Sequence, residues 1–117
     1  MSKGFICLVL HAHLPYIRYP EYENFLEEEW FYEAQIETYI PLLNVFKKLE
    51  SSSINFKLTM SISPSLCEMF ADELLQSRFL KRLNKLRNLA KSELLRTKDT
   101  PFYQTALMYH QKLEQTQ

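Results

Sequence analysis

The stretch Phe5-Ile6-Cys7-Leu8-Val9-Leu10-His11-Ala12-His13 reads as a β-strand that ends in two histidines. From Phe5 to Leu10 the run is continuously apolar, the pattern of a strand buried on both faces in a parallel sheet. Along such a strand Cys7, Val9, His11 and His13 share one side, and Ile6, Leu8 and Leu10 share the other. Both imidazoles therefore project together where the strand ends. In β/α barrels, active-site residues stand at the C-terminal ends of the strands, so the placement is functional in type.

Downstream, the positions Tyr32, Ile36, Tyr39, Ile40, Leu43 and Phe46 recur at helical spacing and predict a long amphipathic helix from about Glu27. Pro41 removes a backbone donor inside it, which predicts a kink or split near Tyr39. After the polar connector Ser51 to Ser53, Phe56, Leu58, Met60 and Ile62 alternate with Lys57, Thr59, Ser61 and Ser63, the period of a second strand. Ser65 and Glu68 have capping-box spacing behind Pro64, predicting a helix to about Leu75. Leu83, Leu86, Ala90 and Leu94 line one side of a further helix over Phe79 to Leu95. Thr100 and Pro101 form an N-cap and first-turn pair for a last helix reaching about Leu113. The order is β, α, β, α, α, α, an α/β chain. A strand, crossover helix and strand make a parallel pair, which needs cover on both faces and neighbours on its edges. Two strands supply neither, so the sequence is expected to belong to a larger sheet or barrel whose remaining strands lie beyond Gln117.

Composition narrows the function. At 117 residues the chain is one domain or part of one, and its 14 Lys and Arg balance its 14 Asp and Glu. Charge at that level gives no signal for nucleic acid or an anionic membrane surface. Cys7 and Cys67 lie far apart in apolar stretches and read as reduced core thiols, which points to the cytoplasm. The opening apolar run is short for a secretory segment, and no stretch approaches the roughly 20 apolar residues of a membrane span. Glycine occurs once, at Gly4, which excludes the glycine-rich loops that cradle nucleotide phosphates.

Two imidazoles at i and i+2 can bind a metal, hydrogen-bond sugar hydroxyls or transfer protons. They can also simply cap a strand end on neighbouring carbonyls. Glu21, Glu23, Glu27, Glu28 and Glu29 form a carboxylate cluster, and glycoside hydrolysis uses two carboxylates. Their position at a helix start favours the macrodipole instead, so they are expected to stay solvated. Trp30, Tyr16, Tyr19 and Tyr22 have flat apolar faces that suit pyranose rings or a core. Arg78, Lys81, Arg82, Lys85, Arg87, Lys91, Arg96 and Lys98 make the Phe79 to Leu95 region basic. No aromatics interleave with them, so a solvated outer face is expected rather than nucleic-acid contact. His110 is expected at the surface.

Taken together, His11-Ala12-His13-Leu14-Pro15-Tyr16, Glu28-Glu29-Trp30, Glu33-Ala34, Glu37 to Leu43, Leu58 to Pro64 and Asp72 to Arg78 resemble the start of glycoside hydrolase family 57, and within it the 1,4-α-glucan branching enzymes. The resemblance covers nearly the whole chain. It implies the opening βαβα portion of an incomplete (β/α)7 barrel, residues 1–117 being the N-terminal part of the catalytic domain. It also implies transfer or hydrolysis of α-glucan by a retaining double displacement, without metal or organic cofactor. In that family the nucleophile is a Glu and the acid/base an Asp, both on later strands, so no catalytic position exists here. His11 and His13 are implied to line the subsite around the scissile bond, with Trp30 a neighbour, and the chain alone is expected to be inactive. A second polypeptide carrying the remaining strands would complete it.

Two other readings compete. A His-x-His at the end of a first strand is also a two-ligand motif of amidohydrolase-like metal enzymes, which need further ligands from later strands. Alternatively, the chain is a non-catalytic interaction module that presents the apolar faces of its strands to a partner.

Overall fold

In the computed structural model, which describes residues 4–116, the chain folds as β1 (Val9–Ala12), α1 (Leu26–Ala34), a π-helical turn (Gln35–Tyr39), α2 (Ile40–Ser51), β2 (Thr59–Ile62), α3 (Pro64–Ala71), α4 (Glu73–Arg96) and α5 (Tyr103–Glu114). β1 and β2 pair in parallel, with Val9 opposite Thr59, Leu10 opposite Met60, His11 opposite Ser61 and Ala12 opposite Ile62. The crossover that a parallel pair requires is the α1 to α2 segment.

Both strands are shorter than their apolar patterns. The ladder continues by one bond at each end, from Thr59 N to Leu8 O and from Ser63 N to Ala12 O, each 3.0 Å. Upstream of it, Phe5 and Ile6 are 95% and 100% exposed. The expected burial on both faces is therefore not met: a run written for a covered strand has no neighbouring strand or helix over it among the described residues. The same correction applies to the thiols, since Cys7 and Cys67 are free and exposed rather than in the core.

The core is helical. Phe31, Tyr32 and Ile36 from the crossover pack with Leu66 and Met69 of α3 and with Leu75, Phe79, Leu83 and Ala90 of α4, while Ala12 is the one β1 or β2 residue among them. The radius of gyration is 17.9 Å, against about 13 Å for a compact domain of about 100 residues. The chain is thus an open slab, 57 × 43 × 22 Å.

The split near Tyr39 is present and has the expected cause. Pro41, the second residue of α2, has no N–H to give to the Glu37 carbonyl. The backbone widens by one residue just before it, and Ile40 N bonds to Gln35 O, five residues back.

The next boundary differs from the sequence pattern. Ser63, extended at φ −67° and ψ 146°, precedes α3, and Pro64 is its first residue. Ser65 does not cap; its hydroxyl donates to Leu14 O at 2.9 Å. The helix expected to reach Leu75 ends at Ala71, because Asp72 is extended and caps α4, its Oδ1 accepting from Leu75 N at 2.9 Å. α4 therefore begins at Glu73 rather than near Phe79. At its far end Thr100 donates to Thr97 O at 2.9 Å and accepts from Phe102 N at 3.3 Å, turning the chain into α5.

Candidate functional site

His11 closes β1 one residue before its end and His13 follows the strand. Their rings stack with centroids 5.9 Å apart and planes 9° from parallel, and both residues are exposed. His11 Nδ1 lies 2.6 Å from the hydroxyl of Ser61, its register partner on β2. The sequence placed both imidazoles on one side at the C-terminal end of a parallel strand, and that is where they stand.

The loop from Leu14 to Phe25 leaves this strand end and is held along its length. Leu14 O takes the Ser65 hydroxyl, Ile17 N points at the Met69 sulfur at 3.2 Å, and Arg18 Nε donates to Asp72 at 2.6 Å. Its far half is fixed by a buried ion pair. Glu28 is 1% exposed; its Oε1 accepts from Arg78 Nη1 at 2.6 Å and from Tyr19 N at 3.2 Å, and its Oε2 accepts from Tyr32 Oη at 2.9 Å. Arg78 donates further to Tyr19 O at 3.2 Å and to Tyr22 O.

This corrects two expectations. Glu28 is not a solvated residue of a helix start, because three donors replace the water it gives up. The basic stretch of α4 is not simply an outer face either. Besides Arg78, Arg82 Nε sits 2.7 Å from Glu29 Oε2, an ion pair without hydrogen-bond alignment, and Arg87 Nε donates to Leu113 O at 3.1 Å. Lys81 and Glu23 pair at 3.0 Å but are exposed, and such a pair contributes little. The missed signal was the spacing Glu28, Tyr32, Ile36, which puts the carboxylate on the apolar stripe of the helix.

Burial, and then the bond to Glu28, pushes the Tyr32 phenol well above its ordinary range. The Leu75 N–H first, then Arg18, hold the Asp72 carboxyl below its usual value against the opposing effect of its own burial.

The other sequence candidates separate. Trp30, on α1, is 52% exposed, and among the described residues no ring contact or hydrogen bond joins it to either histidine. Tyr16 and Tyr22 are exposed, Tyr22 stacking on Phe25, whereas Tyr19 meets the same Phe25 ring at a tilt and packs against the core. His110 is half-buried on α5 with a buried Nδ1 that has no partner among the described residues, so it is not a plain surface residue. Among the described residues, no three His, Cys, Asp or Glu side chains come together to hold a metal ion. No helix there is long and apolar enough to cross a membrane.

The fold is of the mixed α/β class, with polar side chains gathered at the C-terminal end of a parallel strand pair. The sequence profile of Glycosyl hydrolase family 57 matches residues 7–117, and the chain belongs to that family. It is 42% identical over 77 residues to the 1,4-alpha-glucan branching enzyme TK1436 of Thermococcus kodakarensis, covering 66% of this chain and 11% of that relative. Among solved structures it superposes on the alpha-amylase AmyC from Thermotoga maritima with a TM-score of 0.89 and 44% identity, covering 98% of this chain and 22% of that one. The GH57-type branching enzyme from Pyrococcus horikoshii gives a TM-score of 0.87 at 32% identity, covering 98% of this chain and 21% of that one. The chain thus spans about a fifth of the solved relatives and about a tenth of the curated one.

Proposed function

We propose that this chain supplies the opening strands of a (β/α)7 barrel that acts on α-glucan, as a 1,4-α-glucan branching enzyme that forms α-1,6 branches by a retaining double displacement. His11 and His13 bind the sugar beside the scissile bond, donating hydrogen bonds to its hydroxyls and stabilising charge in the transition state. Trp30 is a candidate neighbour whose exposed ring can stack on a pyranose. The two reacting carboxylates come from strands outside this chain, on a second polypeptide or a continuation of the same one. The two exposed free thiols favour a reducing, cytoplasmic setting.

The observation that carries this reading is the pair of stacked, exposed imidazoles at the C-terminal end of β1, beside the matching end of β2. Hydrolysis without transfer is the second reading, favoured by the 44% identity to the amylase.

A chimera tests the proposal: this chain replaces the matching part of the Thermotoga amylase, and turnover on maltooligosaccharides is followed. The chimera is expected to be active. His11→Ala or His13→Ala is expected to lower its kcat by roughly a hundredfold, the loss typical of one transition-state donor. Near-unchanged turnover in both would make the pair a structural cap. The 117-residue chain by itself is expected to show no activity.

A further inference from the structure

The proposed reading gives the histidines a role but not the means by which an exposed ring is held in one orientation. A neutral imidazole has one donor and one acceptor nitrogen, and the bond made by one nitrogen decides what the other offers. His11 and Ser61 are direct partners in the parallel ladder, so their backbones have a fixed spacing, and the Ser61 hydroxyl reaches His11 Nδ1 at 2.6 Å. The His13 ring lies parallel to that of His11, its centroid 5.9 Å away and its plane 9° off. With Nδ1 engaged at the sheet, Nε2 is the nitrogen left to meet a ligand.

We propose that Ser61 is a positioning residue for His11. Its hydroxyl donates to Nδ1, which places the ring proton on Nε2 and makes His11 a donor toward a sugar hydroxyl or the glycosidic oxygen. This rests on the sugar-site reading of the histidines, and it extends the site from β1 to β2. Ser61 acts through His11 and need not touch substrate.

Two measurements separate this inference from the reading beneath it. In the full 117-residue chain, nitrogen-15 NMR of the imidazoles is expected to show His11 with its proton on Nε2 at alkaline pH. Ser61→Ala is expected to mix the tautomers and Ser61→Thr to restore the single form. In the amylase chimera, Ser61→Ala is expected to lower kcat by about tenfold, the worth of one neutral hydrogen bond at the upper end, with KM little changed and Ser61→Thr largely rescuing it. A tautomer that ignores Ser61, or an unchanged kcat in a chimera that His11→Ala cripples, overturns the positioning role. If His11→Ala itself leaves kcat unchanged, the sugar-site reading fails and the catalytic half of this inference falls with it, while the NMR result still decides whether Ser61 sets the tautomer.

Discussion

Arg78 of α4 reaches the carboxylate of Glu28 on α1 at 2.6 Å and, through the same guanidinium nitrogen, the Tyr19 carbonyl at 3.2 Å. One side chain thus joins two helices and the loop behind the histidines. Truncating one partner of a buried pair leaves a charge unpaired and costs about 3–5 kcal/mol. Arg78→Met is therefore expected to lower the urea midpoint sharply, while Glu28→Leu with Arg78→Met is expected to recover part of the loss. Circular dichroism at increasing urea reads both. A midpoint for Arg78→Met close to wild type would show that the pair does not hold the two helices together.

Tyr32 donates to the same carboxylate from a buried position, and its raised pKa has a consequence at high pH. The folded state keeps the phenol proton where the unfolded chain, with a pKa near 10, releases it. More protons bound in the folded state means that stability is fully present below about pH 10 and falls as pH rises toward the folded value. Thermal melts between pH 8 and 11 are expected to show that fall, and Tyr32→Phe to reduce it. A pH dependence identical in the two proteins would refute the assignment.

Asp72 works in the opposite direction. Its folded pKa is depressed, so its contribution is present above the unfolded value of about 3.9 and disappears as pH drops through the folded one. Asp72→Ala also removes the α4 N-cap and is expected to cost about 1 kcal/mol at neutral pH. Asp72→Asn keeps a capping oxygen but loses the charge facing Arg18, so it is expected to flatten the acid limb more than it lowers stability at pH 7. Melts of the three proteins from pH 3 to 7 check both statements.

The histidine pair makes a prediction about metals. Zinc is usually held by at least three protein ligands, and His11 and His13 have no third His, Cys, Asp or Glu grouped with them among the described residues. Dialysed chain is expected to retain no stoichiometric zinc by elemental analysis. Tight one-to-one zinc would instead show that the two histidines form a metal site. His110→Ala is expected to leave chimera turnover unchanged, since His110 lies on α5.

What the sequence disclosed was local. The side shared by His11 and His13 follows from the two-residue period of a strand, and the break before Ile40 follows from the donor that Pro41 lacks. What stayed hidden depended on partners far along the chain. The spacing to Tyr32 and Ile36 marks Glu28 as the inward-facing glutamate of the five, but the partner that lets it be buried is Arg78, 50 residues away, which no local pattern names. The Asp72 cap was missed, because Ser65 and Glu68 offered a competing start that carried the helix through it, and the contact that occupies Ser65 is with Leu14, 51 residues earlier. The apolar run Phe5 to Leu10 misled about burial for a related reason: its composition reports the neighbours it is suited to, not those within residues 4–116.

The widened turn at Gln35–Tyr39 bears on how this region can vary in length. Each helical residue advances the chain by about 100° and 1.5 Å. Because the widened turn already holds one residue more than a regular helix needs, removing one residue there would join α1 and α2 into one regular helix and leave Phe46 facing the Phe56 ring, now 5.6 Å away and nearly parallel. Removing one from the regular part of α2 would instead swing it by roughly a quarter-turn. Gaps of a single residue among relatives should therefore fall here, and they should be accompanied by loss of Pro41, since a regular helix would need the N–H that proline lacks.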